Sequence, residues 1–168
     1  MEHIENRNLV KIGIVVGDIE AAAKHYAELF GMEMPKIRIP DLNRVPEHKE
    51  SGYTWYRGKF IPGRVKLANM QMGPVTVELL EAYDEPGPWN EYKVQYGQGV
   101  HFITFTISGF EQHIDFVESK GFPLTHKGEY GSGRYCYFDS IEKLGVTLGL
   151  QELGKPKDTP VMPKEERA

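Results

Sequence analysis

The chain repeats one order of predicted elements, and this repeat limits its fold more than any other feature. Leu9–Val16 is short, apolar and β-branched, which is typical of a buried strand, and an amphipathic helix pattern that ends at Gly31 follows it. The same order returns later, where Gly99–Ile107 predicts a strand and a second helix pattern ends at Gly121. One half alone has too little chain to cover both faces of a sheet. The repeat therefore predicts two similar halves that enclose one cleft.

Strand-like segments follow each predicted helix. After the first helix these are a short strand around Lys36–Ile39 and strands Tyr53–Arg57, Arg64–Met72 and Val75–Glu81. After the second helix they are strands near Pro123–Lys127, over Arg134–Asp139 and over Gly145–Gln151. Between the two sets, Trp89–Tyr96 predicts a short helix. The rest of Met32–Ser51 is polar and contains three prolines, which predicts a loop. Leu153–Ala168 contains three more and predicts an extended tail. The pattern is that of an α+β chain.

The composition excludes several classes of protein. A chain of 168 residues with a net charge of −4 is one domain without the basic excess that attracts nucleic acid. Its only cysteine, Cys136, excludes an internal disulfide and a Cys-rich zinc site. The apolar runs are too short to span a membrane and no signal peptide is visible, so we expect a cytoplasmic protein. Eight Phe, nine Tyr and two Trp leave enough aromatic side chains for an aromatic-walled pocket.

Five short motifs carry a resemblance to a known family. They are Ile12–Glu20, Phe30-Gly31, Val77–Glu81, Gly97–His101 and Gly128–Tyr135. Over residues 8 to about 152 the chain resembles the vicinal oxygen chelate superfamily, which includes glyoxalase I, methylmalonyl-CoA epimerase, bleomycin-resistance proteins and extradiol dioxygenases. It is most similar to the single-domain proteins of the methylmalonyl-CoA epimerase branch. The resemblance implies two βαβββ modules that form a cup-shaped mixed sheet around one cleft.

The resemblance also divides the chain into modules. Residues 1–168 form a single domain, in which module one covers about 8–83 and module two about 98–152. A linker with a short helix, about 84–97, joins the two modules, and the tail covers 153–168. Many relatives are dimers, so the resemblance implies a homodimer in which the tail can reach the partner.

Members of this family usually hold a divalent metal with one ligand on each of four strands. By resemblance these four positions fall on Lys11, Glu78, Phe102 and Gly149, and of these only Glu78 has a side chain of a ligand type. A lysine ammonium is a poor ligand, and Phe and Gly cannot coordinate. We therefore predict that the usual metal is absent and that the protein needs no cofactor. His101 is next to a lost ligand and alternation points it to the opposite face, although a register shifted by one residue would make it a ligand.

Lys11 and Glu78 are the predicted catalytic residues. The epimerases and glyoxalases of this family remove a proton next to a carbonyl group, and their metal stabilises the enolate that forms. Without a metal, the Lys11 ammonium can pair with an enolate oxygen, or its neutral amine can act as a base, while Glu78 is the natural general base. The alternative is an inert ion pair that fills the former metal site.

Six further residues are predicted to bind the substrate: Tyr56, Phe102, Thr104, His126, Tyr135 and Tyr137. For three of them an alternative stays open. His126 is also compatible with a surface position, and Tyr135 and Tyr137 alternate with Cys136, so that either the two tyrosines or the cysteine face the cleft.

The sequence thus predicts a metal-independent racemase or epimerase that moves a proton at a carbon next to a carbonyl of a small, aromatic molecule. Racemases of dihydroisoflavones resemble the same epimerase branch, which makes a dihydroisoflavone a candidate substrate. One alternative is a binding or resistance-type module that holds an aromatic ligand without chemistry. Another is a metal-dependent glyoxalase or epimerase with an atypical site.

Overall fold

The computed structural model describes residues 1–43, 54–130 and 132–154. Its elements are β1 Leu9–Val15, α1 Ile19–Phe30, β2 Ile37–Arg38, β3 Thr54–Tyr56, β4 Lys59–Ile61, β5 Val65–Met72, β6 Val75–Ala82, α2 Pro88–Tyr96, β7 Gly99–Thr106, α3 Phe110–Ser119, β8 Leu124–Tyr130, β9 Gly133–Phe138, α4 Ile141–Leu144 and β10 Thr147–Leu153. Tyr53, much of the predicted 32–51 loop, and the predicted tail beyond Gly154 lie outside the described residues.

The strands form one curled sheet of ten in the order β2-β5-β6-β1-β7-β10-β9-β8-β3-β4, which confirms the predicted α+β fold. Each module contributes one parallel pair, β1 with β6 and β7 with β10, and the other neighbours are antiparallel. The two modules meet at β1 and β7, which pair antiparallel with Lys11 opposite Thr104 and Gly13 opposite Phe102. The repeated strand–helix order of the sequence therefore becomes two similar halves of one half-barrel.

The β3–β4 hairpin extends the sheet of module two, although it lies in the chain between β2 and β5. β3 pairs with β8, and Tyr56 is opposite His126. The turn uses Arg57 at φ 44° and Gly58 at φ 87°, the left-handed pair that a two-residue hairpin turn favours. The hairpin thus crosses from the sequence of module one to the sheet of module two, and Thr54 adds a wall to the cleft.

The two long helices cover the outer face of the sheet. α1 begins after Asp18, whose side chain accepts a hydrogen bond from the amide of Ala21, and it packs Ile19 and Ala23 against β5 and β6. α3 packs Phe110 and its neighbours against Cys136, which is fully buried. Strand alternation then points the residues on either side of Cys136 to the inner face, where the cavity lies. No helix among the described residues is long and apolar enough to cross a bilayer.

Candidate active site

The inner face of the half-barrel encloses a cavity of about 380 Å³. Both modules line it, and six of the eight predicted site residues do so: Lys11, Glu78, Phe102, Thr104, Tyr135 and Tyr137. Trp89 from α2 lines it as well, and Thr54 and Gly63 contribute from the region of the crossing hairpin. The tyrosines of β9 face the cavity and Cys136 faces α3, which settles the alternative that the sequence left open.

Lys11 and Glu78 form an ion pair on the cavity wall of module one. In the parallel register of β1 and β6, Lys11 is opposite Thr76 and Gly13 is opposite Glu78, so both side chains extend from the same face. Lys11 Nζ lies 3.2 Å from Glu78 Oε2, with 26% of the lysine side chain and 11% of the glutamate side chain exposed. Leu79, between the cavity residues of β6, packs under α1 instead.

Two further polar residues extend this pair to a chain of four. Asn69 on β5 is directly opposite Glu78. With its amide oriented to satisfy both neighbours, Asn69 Nδ2 donates to Glu78 Oε2 at 2.8 Å and Asn69 Oδ1 accepts from Arg38 Nη2 at 3.0 Å. Glu78 therefore has two hydrogen-bond donors on one oxygen, which fixes its carboxylate at the cavity.

Glycines on neighbouring strands make room for the bulky residues of the floor. A side chain at Gly13 would place its Cβ 2.2 Å from the Phe102 ring, and one at Gly128 would place it 2.2 Å from the Tyr135 ring. At Gly149 a Cβ would lie 2.7 Å from Thr104 Oγ1. Phe102 and Tyr137 stack on each other with ring centroids 4.8 Å apart. The floor is therefore built from aromatic rings that pack closely on one another and on the sheet.

His126 lies beside Tyr137 on the inner face of the sheet, but Trp89 covers it and it does not line the cavity, contrary to the prediction for it. It is fully buried because Trp89 packs edge-on against its ring at 5.3 Å and Tyr137 stacks on it at 5.0 Å. Its Nε2 lies 3.0 Å from the hydroxyl of Tyr135. Burial, and then the nearby His101, lower the pKa of His126 to about 3, so its imidazole is neutral at pH 7.

Tyr56 also lies away from the cavity wall. Its hydroxyl donates to Glu91 Oε2 on α2, and Arg57 donates to both oxygens of the same carboxylate. Burial and the hydrogen bond to Glu91 raise the pKa of Tyr56 to about 12. The Thr54–Tyr56 face of the hairpin does point to the cleft, but Thr54 reaches the cavity and Tyr56 instead anchors the hairpin to α2.

His101 belongs to a bulge in β7, which breaks the alternation on which its predicted orientation depends. The β1 partners change from Gly13 with Phe102 to Ile14 with Val100, so His101 is the extra residue. Its ring packs 4.8 Å from that of Tyr92 and lines a separate polar cavity of about 250 Å³. Burial lowers the pKa of His101 to about 4.

The four positions that match the family's metal ligands do not form a metal site. Lys11 has an ammonium group, Glu78 a carboxylate and Phe102 an aromatic ring. Gly149 has no side chain, and Thr104 occupies the space beside it. Among residues 1–43, 54–130 and 132–154 no group of three or more His, Cys, Asp or Glu side chains could hold a metal ion. The donor set therefore does not fit the divalent cation of the family.

Several cavity residues had no signal strong enough to single them out from the sequence, among them Arg38, Asn69 and Trp89. Asn69 is a polar residue inside a strand, which is compatible with an exposed position as well as with a cavity. Trp89 belongs to a linker helix of the sequence pattern, and only the fold brings this helix over the end of the cleft.

The comparisons with known proteins agree with this architecture. A hypothetical protein from Bacillus halodurans is 21% identical over 91% of this chain and 97% of its own, with a TM-score of 0.58. Methylmalonyl-CoA epimerase from Mycobacterium tuberculosis is 20% identical over 89% of each chain, with a TM-score of 0.57. A Streptomyces coelicolor methylmalonyl-CoA epimerase variant in complex with 2-nitronate-propionyl-CoA is 18% identical over 88% of this chain and 97% of its own, with a TM-score of 0.57.

At these identities the solved structures show a shared fold. No curated protein matches the chain. The sequence profile of the Glyoxalase/Bleomycin resistance protein/Dioxygenase superfamily matches residues 11–138. Because this match covers most of the chain, the protein belongs to the glyoxalase/bleomycin resistance protein/dioxygenase superfamily.

Proposed function

We propose that this protein is a metal-independent racemase or epimerase that moves a proton at a carbon next to a carbonyl group. The observation that carries the proposal is the Lys11–Glu78 pair, an acid/base pair at a cavity whose residues do not fit the family's metal. The likeness to epimerases of the same fold supports the class of reaction.

The chemistry of the pair suits this reaction. The Lys11 ammonium places a positive charge beside the substrate carbonyl oxygen, which becomes negative when the enolate forms. The carboxylate of Glu78 takes the proton from the neighbouring carbon, and the electron pair of the broken C–H bond moves toward the oxygen. Asn69 holds Glu78 in place by its hydrogen bond, and the ammonium of Lys11 thus replaces the charge that a metal supplies in relatives.

The cavity walls favour an aromatic substrate. Aromatic residues line the cavity, among them Phe102, Tyr137, Trp89 and Tyr135. Aromatic rings give the cavity an apolar lining that suits an aromatic ligand and excludes water from the reacting carbon. A volume of about 380 Å³ is in the range of small-molecule sites. A dihydroisoflavone, which has an aryl group on the carbon next to its ketone, is the substrate that we propose.

The test measures exchange and inversion together. Two substrates are used: enantiopure isoflavanone, which is an α-aryl ketone, and methylmalonyl-CoA. Each is incubated with the protein in D₂O, before and after chelator treatment of the protein. The products are analysed by mass spectrometry and chiral chromatography. We expect deuterium incorporation and inversion with an aromatic ketone, unchanged by the chelator. Glu78→Gln and Lys11→Met should each lower the rate by about 10²- to 10⁴-fold.

A matched control exists on β5 and β6. Lys66 and Glu81 form an ion pair of the same 3.2 Å length that does not line the cavity. Lys66→Met and Glu81→Gln should therefore leave the rates unchanged. A ligand that binds but is recovered without exchange would instead indicate a binding module with an inert Lys11–Glu78 pair, and a stoichiometric divalent ion required for activity would contradict metal independence.

A further inference from the structure

Tyr135 and Glu78 lie on different walls of one cavity. Glu78 is on β6 and Tyr135 is on β9, and β1, β7 and β10 lie between these strands in the curled sheet. Both side chains line the same cavity, and three strands of the curled sheet separate them. A substrate bound between these two strands would have Glu78 on one side of its reacting carbon and Tyr135 on the other.

The Tyr135 hydroxyl is held in place more firmly than packing alone requires. Gly128, directly opposite on β8, leaves space for its ring. His126 Nε2 then lies 3.0 Å from the hydroxyl oxygen, and the imidazole is itself fixed between Trp89 and Tyr137. A fully buried histidine whose ring nitrogen meets a cavity hydroxyl is an arrangement that orients that hydroxyl.

The protonation states of both groups are those of a proton donor and its orienting partner. Burial, and then the charge of Glu78, raise the pKa of Tyr135 well above its ordinary value, so the phenol keeps its proton at pH 7. His126 is neutral, so Nε2 can donate a hydrogen bond to a phenolate if one forms. Tyr135 is therefore able to give up its proton, and His126 is able to stabilise the negative charge of the phenolate that remains.

We propose that Tyr135, positioned by His126, is the second proton-transfer residue of the enzyme and acts on the substrate face opposite to Glu78. This inference rests on the proposed racemase function and adds the group that inversion requires, since one base on one face returns the proton to the side from which it came.

The proton balance closes over one inversion. Glu78 takes the proton from the α-carbon, the C–H bond breaks, and its electron pair forms the enolate that Lys11 stabilises. The enolate carbon then takes the proton of the Tyr135 hydroxyl on the other face, which leaves a phenolate beside His126. Glu78 releases its proton to water and the phenolate recovers one from water, or the phenolate starts the reverse reaction from the other enantiomer.

The experiment separates exchange from inversion in Tyr135→Phe. This variant keeps the ring over Gly128 and removes only the hydroxyl. Each enantiomer of the ketone that the wild type inverts, isoflavanone first, is incubated in D₂O, and the two rates are measured separately. We expect inversion to fall by about 10²- to 10⁴-fold. The enantiomer whose proton faces Glu78 should still exchange with retention, and the other enantiomer should neither exchange nor invert.

Three comparisons control this result. Glu78→Gln should not exchange the enantiomer whose proton faces Glu78, and it should exchange the other enantiomer only as rising pH ionises Tyr135. Tyr26→Phe removes a hydroxyl from α1 outside the cavity and should change neither rate. His126→Gln, which keeps a side-chain amide, should retain more inversion than His126→Leu at equal folding by circular dichroism, and these variants also provide the test if Tyr135→Phe fails to fold.

The outcomes are distinguishable. Normal inversion by Tyr135→Phe, or an equal loss of exchange for both enantiomers, contradicts the inference and leaves the racemase proposal intact. A wild type that neither exchanges nor inverts any of the tested substrates contradicts both.

Discussion

Gly13, Gly128 and Gly149 have no side chain where a neighbouring strand places a bulky group on the cavity floor. The space above them belongs to Phe102, to Tyr135, and to Thr104 with Tyr137, respectively. Close-packed interiors do not absorb an added methyl group without a shift of their neighbours. The aromatic floor therefore depends on three positions that have no side chain.

Gly13→Ala is expected to destabilise the fold by about 1–3 kcal/mol, because its Cβ would lie 2.2 Å from Phe102. Phe102→Leu removes the ring atoms concerned, so the double variant should be more stable than the sum of the single changes predicts, by at least about 0.5 kcal/mol. Urea unfolding of the wild type, the two single variants and the double variant measures this coupling. Gly17→Ala, where a Cβ would meet only ordinary contacts at 3.6 Å, is the matched control. If the changes in the free energy of unfolding simply add, the conflict between a side chain at position 13 and Phe102 is not the cause of the destabilisation.

At the scale of the element, α2 connects the two walls of the cleft. Glu91 on α2 accepts hydrogen bonds from Tyr56 and Arg57 of the crossing hairpin. Burial raises the pKa of Glu91, but the hydrogen bonds from Arg57 and Tyr56 outweigh it, and the net pKa is lowered. The carboxylate therefore stays ionised, and β3 is bound both to β8 and to the helix over the cavity end.

Glu91→Gln should loosen this hairpin without unfolding the rest. The loss of charge-assisted hydrogen bonds at a half-exposed site costs about 1 kcal/mol. Amide hydrogen exchange at Thr54–Tyr56 should become several-fold faster, while exchange in β7 stays the same. Glu28→Gln, which removes an exposed pair with Lys24 at 3.9 Å, should alter neither region. Equal acceleration in β7 would show a global effect instead.

The sequence pattern identified most elements but not all of their partners. Local periodicity indicated α1, α3 and most of the longer strands to within a few residues, because their apolar faces are continuous. It missed α4 and β4, which are four and three residues long. It also could not predict that β3 pairs with β8, because strand pairing across the cleft depends on contacts far apart in the chain.

The candidate site shows the same limit. Lys11 and Glu78 could be predicted because the family resemblance aligned them with known strand positions, and alternation then brought them to one face. His126 and Tyr56 were misplaced for a different reason. Both lie on faces turned to the cleft, but Trp89 and Glu91 from α2 cover or bind them, and the position of a linker helix has no signal in strand periodicity.

At the scale of the whole molecule, the lowered pKa values of two buried histidines, His101 and His126, make stability depend on pH. The pKa values of His101 and His126 are lowered to about 4 and about 3, below the value of about 6.5 in an unfolded chain. Between these values the unfolded state binds more protons than the folded state. Their contribution to stability is therefore complete above about pH 7 and is lost as the pH falls.

We expect each histidine to reduce the free energy of unfolding by about 2 kcal/mol at pH 5 relative to pH 7.5. Urea unfolding at the two pH values measures the difference. In His101→Gln the difference should shrink by about 2 kcal/mol, whereas His25→Gln, an exposed position on α1, should leave it unchanged. An unchanged difference in His101→Gln would show that His101 is accessible to protons in the folded protein.

The paired glycines also limit how a cavity of this kind can change during evolution. A glutamate at position 149 would meet Thr104, and a side chain at position 13 would meet Phe102, so each replacement requires a second one on another strand. Any mutational route from this aromatic floor to a four-ligand metal centre therefore passes through less stable intermediates unless two codons change together. Among relatives that share the floor, positions 13 and 102, 128 and 135, and 149 and 104 should vary as pairs.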